Sequence, residues 1–317
     1  MDNVKDNAKR EDNTSNGGFC RGLGGSNGGF CCGSGERLGG GLSGKYPLTG
    51  RGNHSEKTVV KVGNATIGDG EFDFIAGPCA VESEKQIIET ATALKKSGVK
   101  ILRGGAYKPR TSPYSFQGLG KEGLKFLRKA KEETGLAVVT EITDLRTLDL
   151  FDGIDMIQIG ARNMQNFELL KEVGKFGKPV LLKRGFVNTV DEWLMSAEYI
   201  ASNGALDIVL CERGVRTFET LTRNTLDLGI IPLVKELTRL PVIIDPSHAS
   251  GNKKLIRPLT LAAAAVGADG AIIECCVSPE NAVCDGEQAI TPEELKEIIS
   301  AAAKVKEAAE KNGEASR

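Results

Sequence analysis

The chain has 317 residues, enough for one large domain or two smaller ones. Its 41 basic and 42 acidic residues leave a net charge of -1 and aromatics make up 5%, so no nucleic-acid partner is expected. No apolar stretch approaches the roughly 20 residues of a membrane span, and the opening Met1-Asp2-Asn3-Val4-Lys5-Asp6 lacks the apolar core of a secretory signal; a cytoplasmic protein with no membrane partner is expected.

Residues 1–56 differ in kind from the rest. Gly, Ser and Asn dominate 17–44, a composition that cannot bury enough apolar surface to offset its ordering entropy, so a disordered tail is predicted. Ser15-Asn16-Gly17-Gly18-Phe19-Cys20 returns as Ser26-Asn27-Gly28-Gly29-Phe30-Cys31. Cys20, Cys31 and Cys32 could bind metal or anchor the tail, but without C-x-x-C spacing an extension with no catalytic role is favoured. Residues 57–317 read as one catalytic domain. Val59 to Val62 and Ala65 to Ile67 flank the turn signal Gly63-Asn64 and predict a short N-terminal hairpin.

Eight short apolar runs follow, separated by helix-sized segments. They are Phe74 to Ala76, Val99 to Leu102, Ala137 to Thr140, Met156 to Ile159, Val180 to Leu182, Ile208 to Cys211, Val242 to Ile244 and Ala271 to Ile273. Such runs are what buried parallel strands look like, and eight of them predict an α/β fold, a single (β/α)8 barrel. Ser83 with Gln86 forms a capping-box pattern that starts a helix running to Gly98, and Thr291-Pro292-Glu293-Glu294 starts the last helix, to about Lys311.

Most of the runs end on a residue that can bind metal, phosphate or carboxylate, at the end of the barrel where active sites lie. Cys79, His248, Glu274 and Asp285 fall at or just after strands one, seven and eight, which are close neighbours in a closed barrel. A thiolate, an imidazole and two carboxylates suit one divalent Mn, Fe, Co or Zn ion. Taken singly, Cys79 reads as buried packing and His248, one of two histidines, as a satisfied loop residue; the shared position reverses that. Cys211, Cys275, Cys276 and Cys284 read as packing thiols. Arg103, Lys108, Arg110, Arg162, Lys183 and Arg213 also fall at strand ends or in the loops that follow, with Gly104-Gly105, Gly160 and Gly214 beside them. Cations so placed point into a partly desolvated mouth, and six exceed the needs of one phosphate. Two anionic substrates, or one doubly phosphorylated, are implied. No Walker-type loop and no G-x-G-x-x-G after a strand is present.

Four segments carry a more specific signal: Ile75 to Ser83 (IAGPCAVES), Leu102 to Pro113 (LRGGAYKPRTSP), Ile159 to Asn163 (IGARN) and Asp245 to Gly251 (DPSHASG). Together they resemble the type I 3-deoxy-D-arabino-heptulosonate 7-phosphate (DAHP) synthases, in the subgroup similar to octulosonate-phosphate synthases. The resemblance covers about residues 58–300. It implies condensation of phosphoenolpyruvate with erythrose 4-phosphate, the first step of the shikimate pathway, by a homo-oligomer, tetramer or dimer. It assigns metal ligation to Cys79, His248, Glu274 and Asp285. Phosphoenolpyruvate falls to Arg103, Lys108, Gly160, Ala161, Arg162, Lys183 and Arg213, and the aldose phosphate to Arg110, Thr111 and Ser112. Glu141 and Asp245 match polar residues around the reacting centre, and either Glu141 or a metal-bound group is expected to orient the attacking water. Lys108 is either the proton donor to the new alkoxide or a purely electrostatic contact. The alternative is the sister synthase acting on arabinose 5-phosphate, but the sequence Lys108-Pro109-Arg110-Thr111-Ser112 favours the four-carbon aldose. The sensing domain many relatives carry ahead of the barrel is replaced here by the Gly-rich tail, so an unregulated catalytic core is expected.

Overall fold

Every predicted run is a strand in the computed structural model, which describes residues 44–54 and 56–314. The glycine-rich repeat with Cys20, Cys31 and Cys32 lies outside the described residues. A two-stranded antiparallel hairpin, β1 (Val60–Val62) and β2 (Ala65–Ile67), precedes the barrel. The barrel strands are β3 (Asp73–Gly77), β4 (Ile101–Arg103), β5 (Ala137–Ile142), β6 (Met156–Ile159), β7 (Val180–Lys183), β8 (Ile208–Glu212), β9 (Val242–Ile244) and β10 (Gly270–Glu274). All neighbours are parallel, and β10 closes on β3 through Gly270↔Asp73 to Glu274↔Gly77.

Alternation along each strand divides the core. Ile75, Ile101, Val139, Leu181, Val209, Ile243 and Ile272 point inward, where Val60, Val62, Ala65 and Ile67 of the hairpin pack beneath them. Ala76, Leu102, Val138, Leu182, Leu210 and Ile273 point outward to the helices. These are α1 (Glu84–Lys96), α2 (Lys121–Thr134), α3 (Phe167–Phe176), α4 (Val190–Ala201), α5 (Ile230–Leu237), α6 (Pro246–Ser250), α7 (Lys253–Ala265) and α8 (Pro292–Glu314). Between β5 and β6 the connection is a 3-10 segment, Leu145–Phe151, which Asp144 caps by accepting from Arg146 N. Among the described residues no helix is long and apolar enough to cross a membrane.

Two sequence expectations shift. Ser83 Oγ accepts from Gln86 N, but the Gln86 side chain accepts from Glu82 N and not from Ser83, so the box is only half formed. At Thr291 the exchange is reciprocal, with Glu294 Oε2 accepting from Thr291 N at 2.8 Å. Packed chain also begins before residue 57: Tyr46 is buried with its hydroxyl donating to Asp191, and Thr49 donates through N and Oγ1 to Glu198 Oε1 at 2.7 and 2.6 Å. Composition misses this segment because single side chains, not a periodic stripe, hold it down.

Candidate active site

The strand ends deliver the predicted side chains to one mouth. β3 stops at Gly77, where a Cβ would lie 1.8 Å from Arg103 O; only glycine lets β3 and β4 approach so closely there. The chain then turns at Pro78 and presents Cys79 at the rim. One ligand atom from each of Cys79, His248, Glu274 and Asp285 lies within 4.8 Å of the others. Cys79 Sγ donates to Asp285 Oδ2 at 2.9 Å, and His248 Nε2 is 3.0 Å from Glu274 Oε1. Asp285 has φ 58, the sole positive φ at a non-glycine among the described residues, so its backbone is strained where its carboxylate meets the other three.

Charges around this group are buried and balanced. His248 sits between two carboxylates, with Nδ1 2.7 Å from Asp245 Oδ2. Burial opposes its charge, but Asp245 and Glu274 outweigh that and push its pKa up to about 10. Burial would likewise raise both carboxyls. The facing imidazolium, with Lys183 beside Asp245 and Arg103 beside Glu274, holds them well below the carboxylate range. Arg103 Nη1 donates to Glu274 Oε1 at 2.8 Å, and Gln288 Nε2 donates to Glu274 Oε2 at 2.6 Å. Lys108 Nζ lies 2.9 Å from both the carbonyl oxygen and the sulfur of Cys79. Its burial disfavours charge, yet Cys79 and Glu274 carry its pKa above the ordinary lysine value.

This set of donors fits a divalent transition metal. A soft sulfur, an imidazole and two carboxylates converge at one point.

Above it opens a cleft of about 420 Å3 lined by Arg103, Lys108, Arg110, Arg162, Lys183 and Arg213. Thr111, Ser112, Glu141, Gly160 and Ala161 line the same space. A Cβ at Gly160 would fall 1.9 Å from Glu141 Oε1, so glycine there leaves room for that carboxylate, whose other oxygen accepts from Gln158 Nε2. Arg103 Nε is buried with no hydrogen-bond partner.

Asp245 departs from the expected placement around the reacting centre. It is fully buried beneath the cleft, where it accepts from Lys183 Nζ and pairs with His248. Cys284 packs with Cys79 and Ala80 in one small buried cluster, as expected of a packing thiol. Sequence reading passed over Gln158, Phe186, Arg216, Arg223 and Asn224, all of which line the cleft. Arg223 Nη2 reaches Asp285 Oδ1 at 3.3 Å. Gln158 was findable as the one polar residue in the run Met156–Ile159, and Arg216, four residues past β8, as a cation in the loop after a strand, like Lys108 after β4.

Comparison with known proteins matches residues 54–311 to the DAHP synthetase I family. The chain is 52% identical over 264 residues to the Phospho-2-dehydro-3-deoxyheptonate aldolase of Thermotoga maritima, covering 83% of this chain and 78% of that one. A 2-dehydro-3-deoxyphosphooctonate aldolase of Francisella tularensis subsp. holarctica is 30% identical, over 76% of this chain and 94% of that protein. Among solved structures, a truncated 3-deoxy-D-arabino-heptulosonate 7-phosphate synthase from Thermotoga maritima aligns with a TM-score of 0.78 at 49% identity. That alignment covers 83% of this chain and 97% of the other.

Proposed function

Because this chain belongs to the DAHP synthetase I family, we propose that it condenses phosphoenolpyruvate with D-erythrose 4-phosphate and water. The products are 3-deoxy-D-arabino-heptulosonate 7-phosphate and inorganic phosphate, the first step of the shikimate pathway. One observation carries this reading: a four-donor cluster suited to a metal lies at the edge of a cleft lined by six predicted cations. The identity of 52% to the heptonate enzyme, against 30% to an octonate enzyme, favours the four-carbon aldose over arabinose 5-phosphate.

Cys79, His248, Glu274 and Asp285 would hold one divalent ion, Mn, Fe, Co or Zn, which supplies Lewis acidity toward the aldehyde oxygen. Arg103, Lys183, Arg162 and Arg213 bind phosphoenolpyruvate, with the Gly160-Ala161 backbone against it. Each charge-assisted hydrogen bond contributes roughly 1.5–3 kcal/mol and fixes carbon 3 for attack on the aldehyde. Arg110, Thr111 and Ser112 hold the aldose phosphate in the same cleft. Lys108 keeps its proton at Nζ, available to the alkoxide as the carbon–carbon bond forms. Glu141, with space secured by Gly160, orients the water that adds to carbon 2 before phosphate leaves. Asp245 keeps Lys183 and His248 oriented.

The family precedent extends to a cytoplasmic homo-oligomer, tetramer or dimer, which sedimentation would test. The activity itself is tested by phosphate release from phosphoenolpyruvate with each aldose, before and after chelation. Turnover with erythrose 4-phosphate that disappears in chelator and returns with added metal is expected. Equal rates with arabinose 5-phosphate, or full activity in chelator, would overturn the reading.

A further inference from the structure

Guanidinium groups crowded into one cleft repel each other, and a single aromatic ring holds three of them together here. The guanidinium carbons of Arg213, Arg216 and Arg162 stand 4.6, 5.0 and 5.4 Å from the centroid of Phe186. All three distances fall inside the reach of a cation–π contact. Arg213 has other anchors, donating to Asn224 Oδ1 at 2.7 Å and to His248 O at 3.1 Å. Arg162 has only a long contact of 3.5 Å to Thr111 Oγ1. For Arg216 the ring is the sole side-chain partner among the described residues.

The ring is fixed by the backbone around it. Arg216 N donates to Phe186 O at 2.7 Å, joining the loop after β7 to the loop after β8. Gly185 N donates to Met164 Sδ at 3.1 Å. Arg184, next along, forms a buried pair with Glu212 Oε2 at 2.9 Å, and Glu212 Oε1 accepts from Gly214 N at 2.7 Å. Two loops that carry cations are therefore tied to the loop that carries the ring. A half-buried phenyl lining a polar cleft serves little as hydrophobic core. Its faces and edges instead offset the charge of arginines that would otherwise splay toward water.

We propose that Phe186 is a positioning residue that gathers Arg162, Arg213 and Arg216 into one preformed cradle for the phosphate of phosphoenolpyruvate, with Arg216 as its outer member. This rests on the activity proposed above and adds to it a residue that touches no substrate, together with a cation outside the expected set. Guanidinium forks match a phosphate dianion, and preassembly removes the ordering cost from the binding step.

The test is a double-mutant cycle on Phe186→Leu and Arg216→Ala, with Phe186→Tyr as the conservative variant. Each single change should raise KM for phosphoenolpyruvate about tenfold, leaving kcat and KM for the aldose within about twofold. Phe186→Tyr should restore the wild-type value. The double variant should be little worse than Phe186→Leu alone, because without the ring Arg216 is no longer held in the cradle. Calorimetry with inorganic phosphate, which needs no turnover, should report the same losses. If Phe186→Leu does not fold, Arg216→Ala alone decides by KM and phosphate affinity. Unchanged phosphate affinity in Arg216→Ala, multiplicative effects in the cycle, or a fall in kcat with both KM values moving together would each overturn the cradle. Failure of the wild-type chain to turn over phosphoenolpyruvate with erythrose 4-phosphate would instead sink the proposed activity, and phosphate binding by the variants would still decide the cradle.

Discussion

The two ends of this barrel are built from the same eight strands and hold opposite chemistry. At the amino-terminal end the hairpin seals the opening with Val60, Val62, Ala65 and Ile67, all at 3% exposure or less. At the carboxyl-terminal end Arg103, Lys183, Asp245 and Glu274 are nearly as buried, yet every one is charged. An apolar plug contributes through area removed from water and tolerates no ligand. The charged end keeps ions desolvated by pairing each with another beneath a cleft of about 420 Å3. Stability is concentrated at one end and binding at the other.

That division can be broken by substitution at either end. The largest effect is expected at Cys79: Cys79→Ala should lower turnover by at least about a thousandfold, equivalent to several kcal/mol, and deplete bound metal measured by elemental analysis. Little change in melting temperature should accompany it; a variant that keeps metal and rate would remove Cys79 from the site. Proton competition comes next. His248 is held protonated up to about pH 10 in the ion-free chain, and burial with the Cys284 contact keeps the Cys79 thiol protonated as well. A bound metal must displace both protons, so apparent metal affinity should climb with pH, by about a hundredfold per unit between pH 6 and 8. Competition titrations would check the slope, and a flat profile would contradict a His–Cys ligand pair.

At the sealed end, Ile67→Ala should cost about 2–5 kcal/mol by denaturant unfolding, with kcat and metal content unchanged. Lost metal in that variant would mean the two ends are coupled. The smallest effect concerns Asp73, buried at the start of β3 with Oδ2 unpartnered. Burial, and then Asp69, raise its carboxyl from the ordinary 3.8 to about 7. The folded chain thus keeps a proton that the unfolded chain loses, and stability should fall as pH rises from about 4 to 7. Asp73→Asn should unfold at higher temperature than wild type above pH 7, with the advantage shrinking toward pH 4. The same gain at every pH would rule out this cause.

Much of this was legible before any coordinates. Apolar runs of strand length gave the eight barrel strands because parallel strands covered on both faces need continuous hydrophobicity. The residues that end those runs gave Arg103, Lys183 and Glu274 because a strand's last side chain must face the mouth or the helices. What spacing could not supply was contact across the barrel. Phe186, Arg216 and Arg223 sit in loops, where no period links a residue to its neighbours in space, and their meaning comes from which loops meet above the cleft. The half-formed cap at Ser83 and the packing of Tyr46 and Thr49 were hidden for the same reason. Each depends on where one side chain reaches.

The order of residues along the chain therefore determined the architecture, the end of the barrel that does chemistry, and the kinds of atom gathered there, because burial patterns are local and periodic. Only the folded arrangement decided that Asp245 lies under the cleft, that Cys284 touches Cys79, and that one ring gathers three arginines. Those relations depend on distances between groups far apart in sequence, which closure of the barrel fixes and linear spacing does not encode.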